Sequence, residues 1–453
     1  MQLEILYARY KPIIPDYDDF LECLQRPLCP TFRFNTLKAP AEEIARHLGD
    51  IKIRSLSFYR DGFSVLEKVS LGNHYTHQLG LLYGQEAASM VPVLVLDPKP
   101  GETVLDLCAA PGSKTTQIGQ IMANQGLVVA NEVNPKRRMG LLQNVKRCGL
   151  INEAVTGQRG EKIGRVLPDH FDRVLIDAPC SAEGTVRKSR AVLYHWGLKN
   201  IERMAWIQKG LIVSGFQALR PGGTMVYSTC TIAPEENEEV VDYLLQKYPD
   251  AEVLPVGIPG FRIRNGVVEW GKRSFDARVR ECGRILPQDN DTAPFFLARI
   301  AKRGLPAERA GFRGRIEFNN EAVQLLDRRF GIGLERLKGQ AVFPEGDTVY
   351  VATPEAFAFR EINSLRRGLE LGKVYGAEIK PDNDFVQIFG RRPPRNYFDA
   401  GDIELKRFLR GEKIENPAEP GFVIVTYKNL AVGVARANGR ELKSAIERER
   451  RIS

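Results

Sequence analysis

The chain has 453 residues, 43% hydrophobic and 27% charged, with a net charge of +9 at pH 7. That length exceeds what one hydrophobic core serves, so two or three soluble globular domains are expected and a peptide, a fibre or a disordered tail is excluded. Apolar runs such as 90–96, broken by Pro92, fall short of the roughly 20 residues of a membrane helix, and the mixed charges of Glu4, Arg9, Lys11 and Asp16 suit neither a signal nor a transit peptide; a cytoplasmic protein without a membrane partner is expected.

In chain order, mixed helical text is followed by the alternating run Thr31-Phe-Arg-Phe-Asn-Thr36 and an amphipathic stretch to Leu48, which predicts a small α+β unit. From Thr103 the texture becomes strand, small-residue turn and helix in repetition. Strands are predicted over 103–107, 127–131, 173–176 and 224–228, with a closing strand over 294–300. This alternation predicts a doubly wound parallel sheet with helices on both faces. Gly, Pro and charge cluster over 302–315 as in a linker, and a helix is predicted over 320–329. Short strands are predicted over 347–352, 372–378, 384–389, 422–427 and 430–435, a β-rich C-terminal region.

The positive charge favours a polyanionic partner, nucleic acid first. Residues 301–453 hold 28 basic and 22 acidic residues, so most of the excess lies at that end. There Lys373, Arg391, Arg392, Arg395, Lys428, Arg436 and Arg440 are interleaved with Tyr375, Phe389, Tyr397 and Tyr427, a mixture suited to RNA or to the core of a small β domain. The seven cysteines form no C-x-x-C pair and have no His at ligand spacing, so neither a metal site nor a disulfide frame is expected.

The first parallel strand runs into Cys108-Ala109-Ala110-Pro111-Gly112-Ser113-Lys114 and a helix. A small-residue turn at that edge lets the backbone approach a ligand. Gly112-Ser-Lys-Thr115 superficially matches a phosphate loop, but Ser113 and Cys108 stand where that motif needs glycine, and the dinucleotide G-x-G-x-x-G is absent. A ligand with a nucleoside and no phosphate chain remains, which fits S-adenosylmethionine, with Lys114 free for its carboxylate or for RNA phosphate. Glu132, about 20 residues on, is placed to accept from ribose hydroxyls, and Arg137 to pair with it or approach the cofactor.

Asp177-Ala-Pro-Cys180 and Ser228-Thr-Cys230 end two further strands. Adjacent parallel strands lie about 4.8 Å apart, so both thiols and Asp177 are expected in the cofactor cleft. Two thiols and an acid there suit methylation at carbon 5 of cytosine, where a thiolate adds to carbon 6 and a carboxyl group supports the addition at N3. The residues alone leave open which cysteine attacks.

The segments 108–114, 177–180 and Tyr227-Ser-Thr-Cys-Thr-Ile-Ala-Pro-Glu-Glu-Asn237, with Arg33-Phe-Asn35, 83–90, 184–188 and 421–442, resemble the motifs of the Sun/nucleolar-protein family of RNA cytosine-5 methyltransferases. The C-terminal stretch is most similar to the bacterial ribosomal small-subunit methyltransferase F group. The resemblance implies a Rossmann-like class I methyltransferase domain (76–303) between an N-terminal RNA-binding α+β domain (1–75) and, after a linker and helical segment (304–345), a C-terminal PUA-like RNA-binding region (346–453).

It further implies Cys230 as covalent nucleophile, Cys180 as the thiol that helps release product, and Asp177 as a contact to cytosine N3 or the cofactor; by analogy with DNA cytosine-5 methyltransferases Cys180 would attack instead. The cofactor would be S-adenosylmethionine, held by 108–114, Glu132, Arg137 and Asp177. The expected partner is structured RNA, 16S ribosomal RNA or the small subunit first and transfer RNA second, contacted by Arg33, Asn35, Arg187, Lys188 and Arg190; the protein itself is expected as a monomer. The alternative of another class is a non-catalytic RNA-binding assembly factor. In its favour, Arg159 stands where the family has the Asp that meets adenine, leaving that contact to backbone or Glu161.

Overall fold

Val, Ile and Leu dominate the strand segments after residue 100, and burial on both faces explains why. In the computed structural model, which describes residues 2–67, 69–190, 192, 196–305, 316–416 and 419–451, Thr103–Asp106, Leu127–Asn131 and Glu153–Thr156 are buried throughout. Such continuous burial belongs to a parallel sheet covered on both sides.

These strands lie in a ten-stranded sheet, whose parallel part runs Leu219–Thr229, Phe171–Asp177, Thr103–Asp106, Leu127–Asn131, Glu153–Thr156. Alternation then assigns residues to faces. Val104, Val128, Leu175 and Val226 pack with the helix Ala87–Leu96 and Ile118, whereas Leu105, Val129, Val174 and Ile176 pack with Leu211 and Phe216 of the helix Leu198–Ala218. The strand order reverses between Thr103–Asp106 and Phe171–Asp177, and the crevice at this switch point is where such sheets bind ligands.

Antiparallel strands complete both flanks. Phe295–Lys302 pairs with Leu219–Thr229, in agreement with the closing strand read from the sequence. At the other edge Ser364–Arg367, from beyond the segment 306–315, pairs with Glu153–Thr156. It is fastened there by Arg366, whose Nε donates to Oε1 of the fully buried Glu153 at 2.9 Å. The central sheet therefore takes a strand from the C-terminal part of the chain. The expected linker falls largely on 306–315, outside the described residues.

A four-stranded antiparallel sheet, in the order Ile53–Leu56, Tyr59–Val65, Thr31–Phe34, Leu82–Gly84, forms the N-terminal unit and extends past residue 75. Its Phe32, Phe34 and Phe63 share one core with Val425, Tyr427 and Leu430 of the C-terminal five-stranded sheet. A second C-terminal sheet holds Ala341–Glu345, Thr348–Ala352, Leu369–Tyr375 and Glu378–Pro381. The strand expected over 384–389 is instead the helix Asn383–Phe389. Asp382 caps it by accepting from the Asp384 amide at 2.9 Å, and Phe385 and Val386 are buried in the surrounding core; the run of apolar residues fits a short buried helix as well as a strand. No described helix is long and apolar enough to cross a membrane, and among the described residues no group of three or more His, Cys, Asp or Glu could hold a metal ion.

Candidate active site

The switch-point turn is built for close approach. Gly112 sits at φ +106°, in the left-handed region, directly before the helix Ser113–Ile121. The Ala109 amide bonds the Asn131 carbonyl at 2.8 Å and the Leu107 amide that of Leu175 at 2.9 Å, so the turn is anchored to strands on both sides. Below it Asp106 is 1% exposed; its Oδ2 accepts from Thr115 Oγ1 at 2.6 Å, while Oδ1 is buried with no partner among the described residues. Burial lifts this carboxyl to about 7, and burial also raises the Cys108 thiol.

Glu132 is buried at the end of the neighbouring strand. One carboxylate oxygen accepts from the Asn134 amide at 2.8 Å and the other lies 3.3 Å from Arg137 Nη1. Arg137 in turn donates to the Ala110 carbonyl at 2.8 Å. It thereby ties Glu132 to the turn. The fit of a nucleoside-bearing cofactor rests on this donor and acceptor set: an orphaned buried carboxylate oxygen, a second buried acid one strand away, and a turn of small residues between them. Arg159 projects outward at 67% side-chain exposure, 3.9 Å from Glu161, so neither side chain is held against the turn.

Lys114 is not free. Its ammonium is buried, bonded to Asp177 Oδ2 at 2.7 Å and Ser89 Oγ at 2.9 Å. Asp177 Oδ1 accepts from Ser228 Oγ at 3.0 Å. Asp177 thus connects the cofactor-side helix to the strand that ends one residue before Cys230.

Cys180 and Cys230 lie with their sulfurs 3.3 Å apart, both half-buried. The Cys180 thiol is pushed well above its ordinary value, first by the hydrogen bond to Cys230 and then by burial. The residues that follow the two thiols brace them: Ser181 Oγ and Thr231 Oγ1 are 3.0 Å apart, and the Gly184 amide bonds the Cys230 carbonyl at 2.8 Å. A Cβ at Gly184 would stand 2.6 Å from that oxygen and 2.7 Å from the Pro294 carbonyl, so only glycine permits the approach.

Two buried acids underlie this brace and were missed from sequence. Glu183 accepts from Thr231 Oγ1 at 2.8 Å, Tyr10 OH at 2.8 Å and Trp196 Nε1 at 2.5 Å. Glu236 accepts from the Ser181 amide at 2.9 Å and Gln208 Nε2 at 2.8 Å, and burial lifts it to about 7. A signal was present, since both acids flank the cysteine motifs, but nothing local distinguishes a buried carboxylate from a solvated one.

The structure separates the expected RNA contacts. Arg33 is 0% exposed, with its guanidinium spent on Gln85, Gln120 and Thr116, and Asn35 is 1% exposed, donating to the Gly80 and Cys148 carbonyls. Arg187 is likewise enclosed, bonded to the Arg26, Pro27 and Thr292 carbonyls and to Asp291. In this structure the polar groups of all three side chains are committed to protein partners. Lys188 and Arg190, eight and ten residues after Cys180 in the chain, are exposed. In the C-terminal region Tyr375 and Tyr397 are exposed at 55% and 52%, whereas Tyr427 is in the core.

Residues 93–301 match the family model of the 16S rRNA methyltransferase RsmB/F, 7–87 that of the N-terminal domain of 16S rRNA methyltransferase RsmF, and 395–452 that of the methyltransferase RsmF PUA domain. The chain is 34% identical to ribosomal RNA small subunit methyltransferase F of Klebsiella pneumoniae over 98% of its own length and 96% of that protein. It is 42% identical to the tRNA (cytosine(49)-C(5))-methyltransferase of Pyrococcus abyssi over 66% of its length and 95% of that protein. A methyltransferase homolog protein from Pyrococcus horikoshii superposes with a TM-score of 0.59 at 31% identity, over 66% of this chain and 95% of the other.

Proposed function

The chain belongs to the RsmB/F family of 16S rRNA methyltransferases, and from that premise we propose that it transfers a methyl group from S-adenosylmethionine to carbon 5 of a cytosine in 16S ribosomal RNA. The observation that carries this is the pair of thiols 3.3 Å apart beside an acid that bridges to the cofactor-side helix. The similarity to the small-subunit enzyme runs nearly end to end, through the N-terminal and PUA regions, which favours ribosomal over transfer RNA. The similarity to the tRNA enzyme covers two thirds of the chain.

When bound, S-adenosylmethionine supplies an electrophilic methyl carbon. The chain's own groups do the rest. The turn 108–112, Glu132, the free oxygen of Asp106 and the Lys114–Asp177 pair hold and orient the cofactor and the pyrimidine. The Cys230 thiolate adds to carbon 6, forming a carbon–sulfur bond and placing electron density on carbon 5. After carbon 5 has taken the methyl group its proton passes to solvent water, the electron pair reforms the ring double bond, and the bond to Cys230 breaks to return the thiolate. Cys180, kept protonated by its elevated pKa, holds a hydrogen beside the departing sulfur. Asp177, its two oxygens held by Lys114 and Ser228, is the side chain placed to contact the cytosine edge or the cofactor.

Transfer of labelled methyl to purified ribosomal RNA, with bisulfite mapping of the product, tests the reading. Wild-type protein is expected to label one or a few cytosines of 16S RNA and Cys230→Ala none; a fully active Cys230→Ala protein would remove the nucleophile assignment, and label confined to transfer RNA would move the substrate.

A further inference from the structure

Beside the loop that carries Cys230 lies a cleft of ≈1180 Å³ between the N-terminal segment 9–15 and residues 264–286. It was not among the surfaces singled out from sequence, yet residues 262–284 hold seven Arg or Lys against three Asp or Glu. Arg9, Arg264 and Arg284 in its wall are each paired with an acid, at 2.5, 2.6 and 2.6 Å. Lys11 and Arg280 are exposed in the same wall and have no ion pair among the described residues. Trp270 adds a rigid aromatic: its ring stacks on Tyr10 at 5.8 Å and 20°, and its Nε1 donates to Glu235 Oε1 at 3.0 Å. The cleft is fastened to the catalytic loop, because Arg284 Nη1 donates to the Ile232 carbonyl at 3.0 Å. Ile232 is two residues from Cys230, at most about 7 Å of chain.

Cations without an ion-pair partner beside a braced aromatic ring are what a single strand of nucleic acid requires, phosphates on the charges and a base on the ring. We infer that this cleft seats the unpaired RNA flanking the target cytosine, with phosphates at Lys11 and Arg280 and a base against Trp270. This deepens the proposed function and rests on it; it assigns the strand a surface separate from the PUA region. The wall carries one acid of its own, Glu269, which sets a limit on how many phosphates it can take.

The test uses the full-length protein and a fluorescein-labelled 12-nucleotide single-stranded RNA containing one cytosine. Lys11→Gln with Arg280→Gln is expected to weaken binding about tenfold. The slope of log Kd against log salt should become shallower by about 1.4, since each phosphate contact to a single strand contributes about 0.7. Lys11→Arg with Arg280→Lys should restore the slope. Unchanged binding of S-adenosylhomocysteine shows that the variants are folded.

An unaltered Kd and slope in the double Gln variant, while wild-type protein still methylates RNA, overturns the cleft assignment and leaves the function intact. Wild-type protein that neither binds nor methylates RNA overturns the function itself. Loss of binding to a polyglutamate peptide with RNA binding unchanged would give the cleft to an acidic protein segment and refute the inference.

Discussion

Replacing Glu183 offers the sharpest test of how the two thiols are held. The carboxylate is fully buried and takes hydrogen bonds from Tyr10, Trp196 and Thr231. Alanine leaves three buried donors without an acceptor, at roughly 1–3 kcal/mol each. Two are hydroxyls that can turn to other partners; the indole N–H cannot, and removing a buried charge returns part of the loss. A net cost of about 3 kcal/mol follows, which for a domain of this size lowers Tm by about 10 °C.

Glutamine retains an acceptor for Trp196, and Thr231 can rotate to accept from its amide, so about 1 kcal/mol is expected. Differential scanning fluorimetry measures the first effect. The second readout is the rate at which copper phenanthroline closes a Cys180–Cys230 disulfide in the folded protein, which depends on the 3.3 Å spacing of the sulfurs. Alanine should slow it several-fold and glutamine should not. An alanine variant that melts within about 2 °C of wild type and cross-links at the wild-type rate would show that Glu183 does not brace the thiols.

Two further outcomes bear on the same loops. Cys180→Ala is expected to accumulate an RNA–protein adduct through Cys230 that survives SDS gel electrophoresis; absence of that adduct, with methylation intact, would count against a role for Cys180 in product release. Glu236, at about 7 in the folded chain against about 4.5 unfolded, binds its proton more tightly when folded. Its stabilising contribution is present below pH 4.5 and is lost as pH rises through 7, by at most about 3 kcal/mol at 1.36 kcal/mol per unit. Glu236→Gln should therefore flatten the fall in Tm between pH 5 and 8, and an identical slope in both proteins would refute the burial argument.

The sheet and the pairing of Cys180 with Cys230 at its edge were legible because each strand carries its own signal: a β-branched run ending in Asp177-Ala-Pro-Cys180 or Ser228-Thr-Cys230 states both where the strand stops and what it delivers. The burial of Arg33 was not legible for the opposite reason. Its side chain packs on the helix Ser113–Ile121, and the partners Gln85, Gln120 and Thr116 lie 52 to 87 residues away. Arg187 repeats the pattern, its acceptors coming from Arg26, Pro27 and Thr292. Lys114 was left available for a ligand because its partner Asp177 is 63 residues distant. Buried charge depends on tertiary neighbours, and a single chain names them only after folding.

The strand Ser364–Arg367 has a bearing on how the molecule can be divided. Cutting the chain after residue 303 would uncover the backbone hydrogen-bonding groups of Glu153–Thr156 and strand the Glu153 carboxylate without Arg366. An unprotected edge of that kind recruits other chains. The C-terminal part of the chain thus serves as a selvedge for the central sheet, and the two cannot be parted without baring that margin.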